Sequence, residues 1–252
     1  MSIPASIRSF VDELADTAPA SYDDLRAVVF NGSLKRSPEP SHTDGLLDVA
    51  TGTMRRLGVR VDVVRTADHD IPPGVWPDMR EQGYARDDFP ALYGDLVVPA
   101  DIVVLAGPIW LGDQSSLTRK IIERLYAYSG DLNDRGQWSY YGKVGGALTT
   151  GNEDGGKHVS AQILYALQHI GLTIPPQSDV YWDGEAGPGP SYLDETGGQH
   201  NAWTTRNATF MAWNVLHLAR LLKDAGGIPS HGNDTRDWDL SEPDNPNPEH
   251  RA

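Results

Sequence analysis

Three segments of this chain carry residue types that could together hold a charged, flat organic group. The first is Gly32-Ser33-Leu34-Lys35-Arg36-Ser37-Pro38-Glu39-Pro40-Ser41-His42-Thr43, with hydroxyls at Ser33, Ser37, Ser41 and Thr43 and cations at Lys35 and Arg36. Placed ahead of a helix start, whose free N–H groups add to the set, it suits a phosphate dianion. Taken alone, the same residues also describe a Ser- and Pro-rich surface turn. The second segment, Gly107-Pro108-Ile109-Trp110-Leu111-Gly112-Asp113-Gln114-Ser115-Ser116, brings an indole that can lie against a heteroaromatic ring while turn N–H groups meet ring carbonyls and nitrogens. The third, Thr149-Thr150-Gly151-Asn152-Glu153-Asp154-Gly155-Gly156-Lys157-His158, has glycines that let backbone approach a planar ligand. Neither a Walker pattern nor Gly-x-Gly-x-x-Gly is present, which counts against nucleoside triphosphates and Rossmann dinucleotides.

Other reactive groups have plainer roles. Glu153 and Asp154 invite general acid–base work, but adjacent carboxylates in a glycine-rich loop are more often solvated. His158 could donate a proton, yet it also suits an exposed helix start. Asp68-His69-Asp70 lacks a distant ligand set for a metal, and Gly112 to Ser116 lacks the Gly-x-Ser-x-Gly elbow of a hydrolase. Asn207-Ala208-Thr209 matches a glycosylation acceptor inside an expected helix. Trp76, Tyr84, Tyr181, Trp182 and Trp203 could line an acceptor site or a subunit contact, with packing the default for each.

The elements around these segments alternate. Short apolar runs at Ala27–Phe30, Val59–Val64, Ile102–Ala106 and Val144–Leu148, with a weaker fifth near Val180–Trp182, read as strands. Between them, helical spacing joins Leu46, Leu47, Val49, Ala50, Met54 and Leu57, capped from Thr43 and stopped by Gly58, and joins Leu117, Ile121, Ile122, Leu125 and Tyr126 behind a cap at Ser115 or Ser116. Further helices are expected over His158–Ile170 and from about Thr204 to Lys223, and Ile3, Ile7, Phe10, Val11 and Leu14 suggest one ahead of the main fold. An irregular insertion separates the second and third strands between Asp70 and Tyr84. Such alternation gives a doubly wound α/β fold, a parallel sheet with helices on both faces. The three ligand-suited segments then follow strands one, three and four, at the carboxyl ends where open sheets bind ligands. We expect a helical extension over residues 1–25, one domain over 26–229 and an acidic, solvated tail over 230–252.

Composition narrows the chemistry. The 252 residues carry a formal charge of −14, which disfavours nucleic-acid or anionic-membrane binding, so an anionic cofactor must be captured locally. No apolar run approaches the roughly 20 residues that span a bilayer. No secretion signal is apparent, and a cytoplasmic location is expected. With no cysteine, thiolate chemistry, disulfides and cysteine-held clusters are excluded, and redox chemistry would need a bound organic cofactor.

Asn31-Gly32-Ser33 through Thr43, Gly107 to Gly112 followed by Ser115-Ser116-Leu117 and Glu123-Arg124-Leu125, and Thr150 to Gly155 together resemble the NAD(P)H-dependent FMN reductase family of flavodoxin-like proteins. The similarity spans roughly Arg26 to Pro229. It implies a flavodoxin-like five-stranded parallel sheet in the order 2-1-3-4-5, noncovalent FMN, NAD(P)H as reductant, a homodimer or homotetramer, and hydride passed through the flavin to a quinone, free flavin or other small acceptor. By position, the resemblance puts the phosphate loop at Ser33, Lys35, Arg36, Ser41, His42 and Thr43. The ring loops become Pro108, Ile109, Trp110, Leu111 and Gly112, and Thr150, Gly151, Asn152, Asp154 and Gly155. Related iron–sulfur flavoproteins carry cluster cysteines ahead of the position of Asp87-Asp88, where this chain has none. Direct hydride transfer to the flavin needs no protein acid or base, so no catalytic side chain is assigned. Backbone N–H groups near Trp110 and Asn152 would stabilise charge on the reduced ring. A flavin carrier without turnover of its own is the alternative, and a scaffold without flavin is a more distant one.

Overall fold

The computed structural model describes residues 5–184 and 189–238, with side chains from residue 9 onward. The chain opens with α1 (Ala5–Asp16), β1 (Arg26–Asn31), α2 (His42–Arg56) and β2 (Arg60–Arg65). After an irregular stretch comes the single turn α3 (Phe89–Leu92), then β3 (Ile102–Trp110), β4 (Asp113–Gln114) and α4 (Ser116–Tyr126). The chain continues through β5 (Val144–Thr150), α5 (Gly156–His169), β6 (Asp179–Trp182) and α6 (Ala202–Asp224). The five long strands run parallel in the order β2-β1-β3-β5-β6, as expected, and β4 adds a short antiparallel arm to β3.

The central strands are apolar on both faces because helices cover both. Val29, Val104 and Leu148 face a core built with α2 and α6, whereas Val28, Phe30, Leu105 and Ala147 face one built with α4 and α5. Strand order reverses between β1 and β3, whose registered pairs run from Ala27↔Ile102 to Asn31↔Ala106, and this opens a crevice beyond their carboxyl ends.

Local signals set most boundaries. Ser41 caps α2 by accepting from Asp44 N at 3.0 Å, two residues before the cap expected at Thr43, and Gly58 ends it with φ 82°. Ser115 caps α4, accepting from Thr118 N at 3.1 Å. That helix presses on the sheet at two glycines. A Cβ on Gly32 or Gly107 would lie 2.2 or 2.0 Å from Thr118 Oγ1.

Several expectations change. Phe10, placed on the buried face of the first helix, is exposed, and α1 is held to α2 by Arg56 reaching Asp12 and Asp16 at 3.1 and 2.8 Å. The third strand runs past Ala106 to Trp110, because Gly107 and Pro108 pair with Thr149 and Thr150 of β5. The insertion is anchored by a buried ion pair. Arg124 Nη2 meets Asp87 Oδ2 at 2.6 Å and Pro77 O at 2.8 Å, Arg124 Nη1 donates to Trp76 O, and Asp87 accepts from Met79 N and Phe89 N. Burial lowers the Arg124 pKa, and the Asp87 carboxylate opposes that shift. At the other end, Thr235 N and Oγ1 both donate to Gly136 O at 2.8 Å, which ties the exposed and half-exposed residues 230–238, the start of the expected tail, to the 133–137 turn. The rest of the expected tail, 239–252, lies outside the described residues.

Candidate active site: three loops around one cleft

Beyond the carboxyl ends of β1, β3 and β5 lies a cleft of about 230 Å³, lined by Ser33, Leu34, Lys35, Ser41, His42 and Thr43 on one side. Pro108, Ile109 and Trp110 form a second wall, Thr150, Gly151 and Asn152 a third, and Ser191 and Tyr192 close it. The three segments singled out by residue type therefore meet.

The first loop has its shape fixed from within and below. Asn31 Oδ1 accepts from Ser33 N at 2.9 Å, and Asn31 Nδ2 donates to Asp44 Oδ1 at 2.5 Å. Arg65, at the end of β2, gathers the loop's carbonyls: Nη1 donates to Lys35 O, Arg36 O and Glu39 O at 3.2, 3.0 and 2.5 Å, and Nη2 pairs with Asp44. Asp68 takes Ser37 N and Oγ at 3.0 and 2.6 Å, which holds its carboxyl below the usual range. With so many carbonyls turned toward Arg65, the N–H groups of Leu34, His42 and Thr43 have no acceptor among the described residues. Two of them belong to the first turn of α2, where the helix dipole adds partial positive charge.

The cations behave differently from the sequence expectation. Lys35 lines the cleft, but its Nζ donates to Pro40 O at 3.0 Å and sits 3.7 Å from Glu39. Arg36 is exposed and lies outside the cleft wall, because its carbonyl points back at Arg65. His42 Nδ1 accepts from Leu193 N at 3.1 Å, which requires that nitrogen to be unprotonated, and burial lowers its pKa in the same direction.

The second segment is a hairpin. Ile109 pairs with Gln114 and Trp110 with Asp113 around a two-residue turn, Leu111-Gly112, with φ 53° and 71°. Positive φ at both central residues is what tight hairpin turns demand, and leucine adopts it at a cost. The third loop follows β5: Gly151 N donates to Trp182 O at 2.7 Å, and Thr150 Oγ1 shares a 2.9 Å hydrogen bond with Thr43 Oγ1, joining the first loop to the third.

Leu111, Gly112, Asp154 and Gly155 lie outside the cleft wall. The glycines instead let the two loops touch: a Cβ on Gly155, at φ 120°, would lie 2.6 Å from Gly112 Cα. Glu153 accepts from Leu111 N at 2.6 Å. His158 contacts Gln162, which continues to Gln114 at 3.1 Å. Residue types gave no signal for Ser191 and Tyr192. Burial raises the Tyr192 pKa to about 12, and nearby Asp48 adds to the shift. Arg65 did carry one, being a cation at the exit of the strand beside β1.

The set fits FMN on structural grounds. The N–H groups without an acceptor among the described residues, with the Ser33, Ser41 and Thr43 hydroxyls, suit a phosphate, and the Trp110 indole facing Gly151 and Asn152 across the cleft suits a planar ring. Among the described residues no group of three or more His, Asp or Glu side chains is placed to hold a metal ion, and no helix is long and apolar enough to cross a membrane.

Comparison with known proteins follows the same line. Residues 25–187 match the family model described as NADPH-dependent FMN reductase. Over 205 residues, 79% of each chain, the protein is 38% identical to 8-demethyl-8-aminoriboflavin-5'-phosphate synthase of Streptomyces davaonensis. The crystal structure of RosB with bound intermediate 8-demethyl-8-formylriboflavin-5'-phosphate superposes with a TM-score of 0.73 at 38% identity, covering 79% of this chain and 81% of that one. A 207-residue stretch, 82% of this chain, is 58% identical to part of a Mycobacterium bovis protein named divalent metal cation transporter MntH, and spans 30% of that protein's length. A flavone reductase shares the fold, with a TM-score of 0.54 at 16% identity over 80% of this chain and 65% of that one.

Proposed function

The chain belongs to the NADPH-dependent FMN reductase family, and from that premise we propose that it transfers hydride from NAD(P)H through FMN to a quinone, free flavin or another small acceptor. The observation that carries this reading is the meeting of three loops in one cleft, with hydroxyls and with N–H groups that have no acceptor among the described residues at one end and Trp110 and Asn152 at the other. Bound FMN supplies the hydride-accepting ring. The chain's own part is to hold and orient it: Ser33, Ser41 and Thr43 with the N–H groups of Leu34, His42 and Thr43 at the phosphate, and Pro108 to Trp110 with Thr150 to Asn152 at the ring. We place the protein in the cytoplasm, consistent with its cysteine-free composition. We also infer a homodimer or homotetramer, since Trp110 and Leu111, 37% and 94% exposed beside the cleft, offer apolar surface for a neighbouring subunit.

A second reading makes flavin the substrate. It is favoured by the 38% identity to a synthase named for a modified FMN, over most of both chains, and by the modified flavin bound in RosB. Anaerobic mixing of FMN-loaded protein with NADPH or NADH, followed by an acceptor panel, tests the first, and aerobic incubation with FMN and an amine donor, followed by mass analysis of the extracted flavin, tests the second. Bleaching of the flavin band, many turnovers and unchanged flavin mass support the reductase. A shifted flavin mass supports the second reading, and bleaching only through a partner reductase supports a carrier. Ferric citrate belongs in the panel, because a segment 58% identical to this chain occurs within a protein named as a divalent metal cation transporter.

A further inference from the structure

Glu153 stands in a glycine-rich loop, where a carboxylate usually faces solvent, yet it accepts a 2.6 Å hydrogen bond from Leu111 N at the tip of the β3–β4 hairpin. Among the described residues this backbone N–H is the one hydrogen-bond donor to its carboxylate. The hairpin tip needs such a contact. Only two residue pairs close it, Leu111 holds φ 53°, a left-handed conformation unfavourable for leucine, and the Leu111 side chain is 94% exposed and contributes little packing. Beside the bond, Gly155 and Gly112 meet backbone to backbone, so closely that a Cβ on Gly155 would lie 2.7 Å from Gly112 O.

We infer that Glu153 is a positioning residue for the flavin ring: its carboxylate ties the hairpin tip to the Gly151–Gly155 loop and so fixes the spacing between Trp110 and Asn152, which line the same cleft from those two loops. A charged acceptor on a backbone N–H forms a stronger bond than a neutral one, and it suits a tie that must hold a strained turn. The inference rests on the FMN reading, but it assigns Glu153 to geometry and takes it out of proton transfer.

Titration of the full-length protein with FMN and with riboflavin, followed by the flavin visible spectrum, tests it. Glu153→Ala should weaken both ligands about tenfold and alike, the loss expected for one charge-assisted hydrogen bond, because the ring and not the phosphate is displaced. The ring's fluorescence quenching and the shift of its visible band should shrink with it. Glu153→Gln, whose amide oxygen can accept from the same N–H, should stay within about threefold of the native protein. Leu111→Asn, which tolerates the left-handed region, should restore part of the loss when combined with Glu153→Ala. If Glu153→Ala does not fold, Glu153→Ser, too short to reach the hairpin, replaces it. Native affinity and spectrum in the alanine or serine variant would overturn the inference, as would a glutamine variant as impaired as the alanine one. Failure of the native protein to bind either flavin would instead sink the cofactor reading.

Discussion

Arg65 and Arg36 show how far residue type can mislead about role. Arg36 stands in the phosphate-suited loop but is exposed outside the cleft, while Arg65, on a neighbouring strand, holds three of that loop's carbonyls. Turning those carbonyls inward leaves N–H groups with no acceptor among the described residues to meet an anion, so phosphate recognition rests on backbone geometry more than on side-chain charge. Arg65→Ala should therefore reduce the preference for FMN over riboflavin by about tenfold, and Arg36→Ala should leave it unchanged, both measured by flavin fluorescence titration. The opposite ranking would return the role to the loop's own cations. Sequence could place the hydroxyls because they lie on one continuous segment. The expected strand order already set Arg65, at the exit of β2, beside Asn31, but it did not report the loop path that turns three carbonyls toward its guanidinium.

At the scale of elements, the strands were legible wherever apolar residues ran unbroken, as in Ile102–Ala106, since burial on both faces leaves no alternation to interpret. Boundaries failed where long-range pairing outvoted local punctuation. Gly107 and Pro108 read as a loop, but β5 continues beside them and carries the strand to Trp110. The hairpin that follows is stabilised by Glu153 and Gly155, more than 40 residues away, which no local pattern reports. Gly155 is a sharp test of that interlock. Gly155→Ala combines a φ of 120° with a Cβ 2.6 Å from Gly112 Cα, so the loops must part. We expect a stability loss of about 1–3 kcal/mol in denaturant unfolding, together with weaker binding of both FMN and riboflavin.

Across the whole molecule, two half-buried histidines couple the fold to pH. His42 Nδ1 accepts from Leu193 N, and His217 Nδ1 lies 2.8 Å from Tyr22 Oη; burial lowers both pKa values. With folded values below the ordinary one near 6.5, the unfolded chain takes up protons first. Their contribution is complete above about pH 6.5 and is lost as pH falls through the folded values. The melting temperature should thus fall between pH 7.5 and 5.5, and His42→Gln with His217→Gln should flatten that fall. Identical pH slopes in the two proteins would remove these histidines from the account.

The phosphate loop also decides the central claim, that the cleft is an FMN seat with its charged end at α2. Calorimetric titration of the flavin-free protein with FMN and with riboflavin measures it most directly. FMN should bind at least about tenfold tighter, the increment a bound phosphate gains from charge-assisted hydrogen bonds. Equal affinity for the two flavins would contradict it.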